Sequence, residues 1–193
     1  MFGGSFDPIH SAHLIVARLA CEQLGLDRVL FVVAASQPFK TGQHVATPGD
    51  RLRMVKLALA GIPDFVADGR ELRRPGPSYT VDTLRELGAE YPGSELVLVM
   101  GADVASGFGS WHEPDVVRRL ARIAVCHRRQ ARGPVAANHG DGIPAGFDAE
   151  IRVPVLEISS TLIRARVAAG QSVAGWVPQP VADYIVASQV YVE

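Results

Sequence analysis

Cysteine is nearly missing from this sequence: 193 residues carry only Cys21 and Cys126, far apart and without a C-x-x-C partner. That excludes a disulfide framework and a thiolate metal cluster, and both residues are expected to be buried thiols. Excess charge is missing too. Nineteen basic residues against twenty acidic ones leave a formal charge of −1. Bulk electrostatics therefore gives no reason to expect nucleic acid or an anionic membrane as a partner, and any phosphate binding must be local. Long hydrophobic runs are also absent. The longest, Val29 to Ala35 and Leu96 to Met100, fall far short of the ~20 residues that cross a bilayer. The N-terminal Met-Phe-Gly-Gly-Ser-Phe-Asp-Pro has neither a basic nor an apolar region, so nothing marks the chain for export and the expected location is the cytoplasm.

What is present suits a globular chain. Hydrophobic residues make up 48% and charged residues 20% of 20.6 kDa, enough for a sizeable core and about one domain's worth of chain. Residues 1–193 are expected to form a single domain whose C-terminal part, from about residue 159, is helical. Oligomeric state is not legible.

Val29 to Ala35 and Glu95 to Met100 are short, β-branched-rich apolar runs of the kind that form strands covered on both faces. Helical patterns lie between and beside them: Ala12 to Leu24 closed by Gly25, Asp50 to Ala60 closed by Gly61, and Thr80 to Leu87 closed by Gly88. Further on, Glu113 to Ala121 reads as helix and Ile123 to His127 and Ile151 to Leu156 as strands. Ser160 to Ala169 reads as helix with Gly170 behind it, and Tyr184 to Tyr191 as a packed helix and tail. The alternation predicts an α/β fold, a doubly wound, mainly parallel sheet with helices on both faces. Its ligands would bind at the carboxyl ends of the strands, at a topological switch point. Residues 130–147, rich in Gly, Pro and Ala, read as a surface loop. The arginines around 70–74 and 118–132 fit no single patch and are expected to be solvated or ion-paired.

The most informative stretch is Gly3-Gly4-Ser5-Phe6-Asp7-Pro8-Ile9-His10-Ser11-Ala12-His13, where the first strand would hand over to the first helix. Flexible glycines and a helix N-terminus offer backbone amides to phosphate oxygens. The i, i+3 spacing puts the His10 and His13 imidazoles on one face of a nascent turn. Two histidines three apart can also be unrelated. A zinc site would need a third ligand, which His44, His112, His127 and His139 do not supply nearby in sequence. Gly3-Gly4-Ser5 also lacks the G-x-G-x-x-G spacing of a dinucleotide fingerprint.

Near the other end stands Ile158-Ser159-Ser160-Thr161-Leu162-Ile163-Arg164. The two elements together resemble nucleotidyltransferases, whose signatures are H-x-G-H and I-S-S-T-x-x-R and whose fold is Rossmann-like. Across nearly the whole chain the resemblance is to bacterial nicotinate-mononucleotide adenylyltransferases. It is carried by Phe6-Asp7-Pro8-Ile9-His10, Gln37-Pro38-Phe39-Lys40 and Gly76-Pro77-Ser78-Tyr79-Thr80-Val81-Asp82-Thr83-Leu84. Gly101-Ala102-Asp103 followed by Trp111, and Trp176-Val177-Pro178 with Tyr184-Ile185, complete it. Pantetheine-phosphate adenylyltransferases share only the end signatures, and cytidylyltransferases are less similar. Two departures stand out: Ala12 replaces the glycine of H-x-G-H, where a methyl crowding the adenine side would either weaken ATP binding or shift the backbone slightly, and only two residues precede the glycines. The first strand is expected to be very short and the natural start to lie upstream.

The resemblance implies transfer of AMP from ATP, with its Mg²⁺, to nicotinate mononucleotide. It assigns catalysis to His10, His13, Lys40 and Arg164, and ATP binding to Gly3, Gly4, Ser5, Phe6, His10, His13, Ser159, Ser160, Thr161 and Arg164. Acceptor binding falls to Thr80, Asp103 and Trp111. Such chemistry needs positioning and charge neutralisation and no protein nucleophile. Lys40 and Lys56 are the only lysines beside seventeen arginines, which adds weight to Lys40; Lys56 reads as a solvated face residue. Plainer roles remain open: capping for Thr80 and Asp103, core packing for Trp111. Alternatives to the implied reaction are a related adenylyltransferase acting on nicotinamide mononucleotide or phosphopantetheine, and a silent nucleotide-binding module.

Overall fold

The computed structural model describes residues 1–35, 45–129 and 146–192. Its strands are β1 (Phe2–Gly4), β2 (Val29–Val33), β3 (Phe65–Asp68), β4 (Val97–Gly101), β5 (Arg122–Arg129) and β6 (Ala149–Pro154). They form one sheet in the order β3-β2-β1-β4-β5-β6, parallel at every pairing. The chain moves outward from β1 through β2 to β3, then returns to β4 on the other side of β1. The switch point therefore lies between β1 and β4, where the loops leaving their carboxyl ends part in opposite directions.

Eight helices connect them among the described residues: α1 (Ser11–Leu24), α2 (Pro48–Leu59), α3 (Arg70–Arg73), α4 (Thr80–Glu90), α5 (Ala102–Ala105), α6 (Pro114–Leu120), α7 (Ser160–Ala168) and α8 (Gln179–Ala187). Strand alternation explains the two covered faces. Val29, Phe31 and Val33 join the core of α1, α2, α7 and α8, while Leu30 and Val32 meet Leu87 of α4 on the other face. In β4 and β5, Leu98, Met100, Ile123 and Val125 pack under α4 and α6, and Val97, Val99, Ala124 and Cys126 face α1. No helix of the described residues is long and apolar enough to cross a membrane.

Both cysteines are buried free thiols. Desolvation pushes the Cys126 thiol up to about 12, so it stays protonated and inert. Gly25 and Gly170 close α1 and α7 at φ 65°. Gly88 does not close α4: the helix runs through it to Glu90, and the Tyr91 N–H donates to the Leu87 carbonyl at 2.8 Å. The short β3 and α3 are additions to the sequence reading. The expected helix at Tyr184 begins at Gln179, with Pro180 in its first turn, where a missing N–H costs nothing. It ends at Ala187, and Tyr191 beyond it is buried.

Arg70 pairs with Asp68 at 2.6 Å and Glu90 at 2.8 Å, and Arg74 with Glu86 at 2.9 Å, the ion-paired role expected of these arginines. Lys56 is exposed on α2.

Candidate active site

At the switch point lies a cleft of about 710 Å³. Its polar side is built by Ser5, Asp7 and His10 from the β1–α1 connection, His13 in the first turn of α1, Asp103 after β4, and Ser159, Ser160, Thr161 and Arg164 at the start of α7. Its apolar side is built by Ala12, Val16, Val153, Pro154, Leu156 and Ile158. Two sequence motifs about 150 residues apart thus face one cavity, on the edge of the sheet where the parallel topology places every strand's carboxyl end.

The β1–α1 connection is shaped by packing beneath it. Phe6 is 1% exposed at φ 49°, its ring 5.8 Å from Phe2, 5.7 Å from Phe31 and 5.1 Å from His13. A Cβ on Gly4 would meet that ring at 3.0 Å, which accounts for glycine there. Gly3 and Gly4 pair with Val32 and Val33 in the sheet. Gly3, Gly4 and Phe6 are not among the cleft's lining residues, and their part is to set the path of the loop. An Arg51 guanidinium, 0% exposed, donates to the Ser5 carbonyl at 2.7 Å and the Ala34 carbonyl at 2.8 Å. It ties together the backbone leaving β1 and β2.

His10 is the N-cap residue of α1. Its N–H donates to Nδ1 of His13 at 3.2 Å, so the neutral His13 ring carries its proton on Nε2. Burial, then the neighbouring His10, hold His13 well below its ordinary 6.5. The pair therefore presents a neutral N–H donor.

Opposite, Ser159 caps α7 by accepting from the Leu162 N–H at 3.2 Å, and the Ser160 hydroxyl donates to the Pro8 carbonyl at 2.9 Å. Arg164 donates to the Asp7 carbonyl at 2.7 Å, which brings a cation to the cleft. With α1 and α7 both opening on the cavity, two helix N-termini add positive potential to it.

On the acceptor side, Asp103 lines the cleft and Thr80 and Trp111 do not. A Cβ on Gly101 would meet Asp103 Oδ1 at 2.5 Å, so glycine there lets the carboxylate fold back over the end of β4. Trp111 is half-buried against Phe108, ring centroids 5.2 Å apart. Tyr79 stacks on His112 at 4.3 Å, joining the residue before Thr80 to the residue after Trp111. The Ala35 N–H donates to the Ser78 hydroxyl at 3.1 Å, tethering the same loop to the end of β2. Lys40 lies outside the described residues.

Sequence reasoning singled out neither Asp7 nor Arg51. The Asp7 carboxylate accepts from the N–H groups of Val45 at 2.9 Å and Ala46 at 3.1 Å, and from the Tyr191 hydroxyl at 2.8 Å. A buried aspartate beside the histidines was readable as a polar residue in an apolar run; its partners, far along the chain, were not.

The cytidylyltransferase-like family model matches residues 1–166. A probable nicotinate-nucleotide adenylyltransferase of Thermomicrobium roseum is 42% identical over 99% of this chain and 90% of its own length. One of Thermus thermophilus is 44% identical over 96% of this chain and 94% of its own. Among solved structures, Plasmodium falciparum nicotinic acid mononucleotide adenylyltransferase complexed with NaAD aligns with a TM-score of 0.73. That alignment covers 98% of this chain and 95% of that one at 17% identity, a likeness of fold.

Proposed function

The chain belongs to the cytidylyltransferase-like family and, within it, to the nicotinate-nucleotide adenylyltransferases, and from that premise we propose that it transfers the adenylyl group of ATP to nicotinate mononucleotide. The products are nicotinate adenine dinucleotide and pyrophosphate, a step of NAD synthesis. The observation that carries the reading is the meeting of His10 and His13 with Ser159, Ser160, Thr161 and Arg164 across one cleft at the switch point.

In this reaction a 5′-phosphate oxygen of the acceptor attacks the α-phosphorus of ATP while the bond to the leaving pyrophosphate breaks. The protein's task is to align the two phosphates and neutralise charge that develops on them. His13 would do so as a neutral Nε2–H donor beside His10, and Arg164 as a fixed cation already oriented by the Asp7 carbonyl. Lys40 would add a second cation, and the start of α7 would offer hydroxyls and amides to the nucleotide. Mg²⁺ enters as part of the ATP substrate. The apolar side of the cleft suits a nucleobase. Asp103 would accept a ribose hydroxyl, and Trp111 and Thr80, which lie outside the lining of this cleft, would meet the nicotinate ring only beyond the cleft's rim; that flat ring is well matched to an indole. Both substrates are charged and do not cross bilayers unaided, which favours the cytoplasm as the place of reaction.

The test is to supply ATP labelled at the α-phosphate with nicotinate mononucleotide and Mg²⁺. Label recovered in nicotinate adenine dinucleotide supports the reading; label left in ATP refutes it.

A further inference from the structure

Three stretches distant in sequence meet at Asp7, which is 2% exposed beside the cleft. The segment leading into α2 donates the Val45 and Ala46 N–H groups to its carboxylate, α7 donates Arg164 to its carbonyl, and the tail after α8 donates the Tyr191 hydroxyl. The tail comes a long way to do so. Tyr191 lies 184 residues beyond Asp7. It is reached through Gln189 at φ 50° and itself sits at φ 69°, a region that non-glycine residues enter only when surroundings hold them there. Covering the core would need only an aromatic ring; the hydroxyl is what reaches Asp7. The tail is also gripped within α8, because Tyr184 donates to the Asp50 carboxylate at 2.8 Å; that carboxylate also accepts from the Thr47 hydroxyl, while the Asp50 N–H donates back to the Thr47 cap. Residues 45–50 are thus tied to the C-terminal region directly at Asp50 and through Asp7 at Val45 and Ala46. Burial, then the Asp7 charge, push the Tyr191 hydroxyl up, and it remains a donor throughout the working pH range.

We infer that Tyr191 is a positioning residue for adenylyl transfer: by fixing Asp7 it holds the loop that carries His10 in register with the segment at Val45 and Ala46. The inference rests on the adenylyltransferase reading above for its kinetic consequence, and on the Asp7 contacts alone for its structural one. A buried hydrogen bond that aligns reacting groups acts on turnover more than on binding.

The test is Tyr191→Phe, which removes one oxygen and keeps the ring. Small misalignments of reacting groups are costly, so kcat is expected to fall about tenfold while affinity for a non-hydrolysable ATP analogue changes less than about threefold. Amide exchange should quicken at residues 5–10 and 45–46 and stay unchanged in α6. In an Asp7→Asn background the added Tyr191→Phe change should cost less than about twofold, because both act through one contact. Turnover within twofold of the parent protein, multiplying losses in the double variant, exchange that is unchanged or raised throughout, or failure of the variant to fold would each overturn the inference. If the parent protein itself transfers no adenylyl group, the functional reading fails. The exchange pattern then decides alone: loosening confined to the two segments supports the positioning role, and any other pattern overturns it.

Discussion

His10 and His13 stack with ring centroids 3.7 Å apart and planes 23° from parallel, while the His10 backbone N–H occupies Nδ1 of His13. Two rings this close cannot both carry a proton cheaply, and burial adds to the penalty. Titration of the His13 ring by NMR should therefore show a midpoint well below 6.5. The same shift sets a sign for stability. Above 6.5 His13 is neutral both folded and unfolded. Below it the unfolded chain takes up a proton that the folded one refuses, so stability is lost as pH falls from 6.5 towards the folded midpoint. A His13→Asn variant should show a flatter dependence of melting temperature on pH in that window. A ring that titrates at 6.5 or above would contradict the neutral-donor role.

His13→Ala should lower kcat by roughly 10²- to 10³-fold, the scale of losing one donor aimed at developing charge. Affinity for a non-hydrolysable ATP analogue should fall much less, because the donor matters most in the transition state. Steady-state pyrophosphate release and calorimetric binding separate the two. Equal losses in both would make His13 a binding residue only.

Ala12 is 8% exposed in the first turn of α1 and borders the cleft. Replacing it by glycine should pull two quantities in opposite directions. Helix stability should fall by about 0.5–1 kcal/mol, while removing a methyl that crowds the nucleotide should lower KM for ATP by a few-fold, on the scale of one buried methylene. An unchanged KM would mean that the methyl meets no part of the substrate.

These expectations show how far the sequence could be read. The buried strands β2, β4 and β5 and the helices α1 and α7 follow from local patterns, continuous apolar runs and glycine caps, whereas the pairing of the two motifs follows from the family resemblance. Strand β3 was not legible because only Phe65 and Asp68 of its four residues are buried, too few to register as a run. Gly88 misled because a helix with enough packed apolar residues, here Val81, Leu84 and Leu87, carries one glycine within it. Asp7, Arg51 and Tyr191 were not legible as partners because their contacts join loops that only the finished sheet brings together.

Arg51 tests that last point. Its guanidinium is buried whole and satisfies carbonyls behind both β1 and β2. Arg51→Met should keep most of the volume but leave those carbonyls unpaired, at a cost of about 2–4 kcal/mol. Denaturant unfolding would read this directly. A loss below about 1 kcal/mol would mean that water replaces the guanidinium without strain.

The central claim is the identity of the acceptor. The measurement that tests it most directly is kcat/KM for pyrophosphate release with ATP and Mg²⁺, compared across nicotinate mononucleotide, nicotinamide mononucleotide and phosphopantetheine. If nicotinate mononucleotide is the acceptor, kcat/KM should favour the acid over the amide by about tenfold or more, with phosphopantetheine ignored. Equal use of acid and amide, a preference for phosphopantetheine, or no release with any acceptor would contradict it.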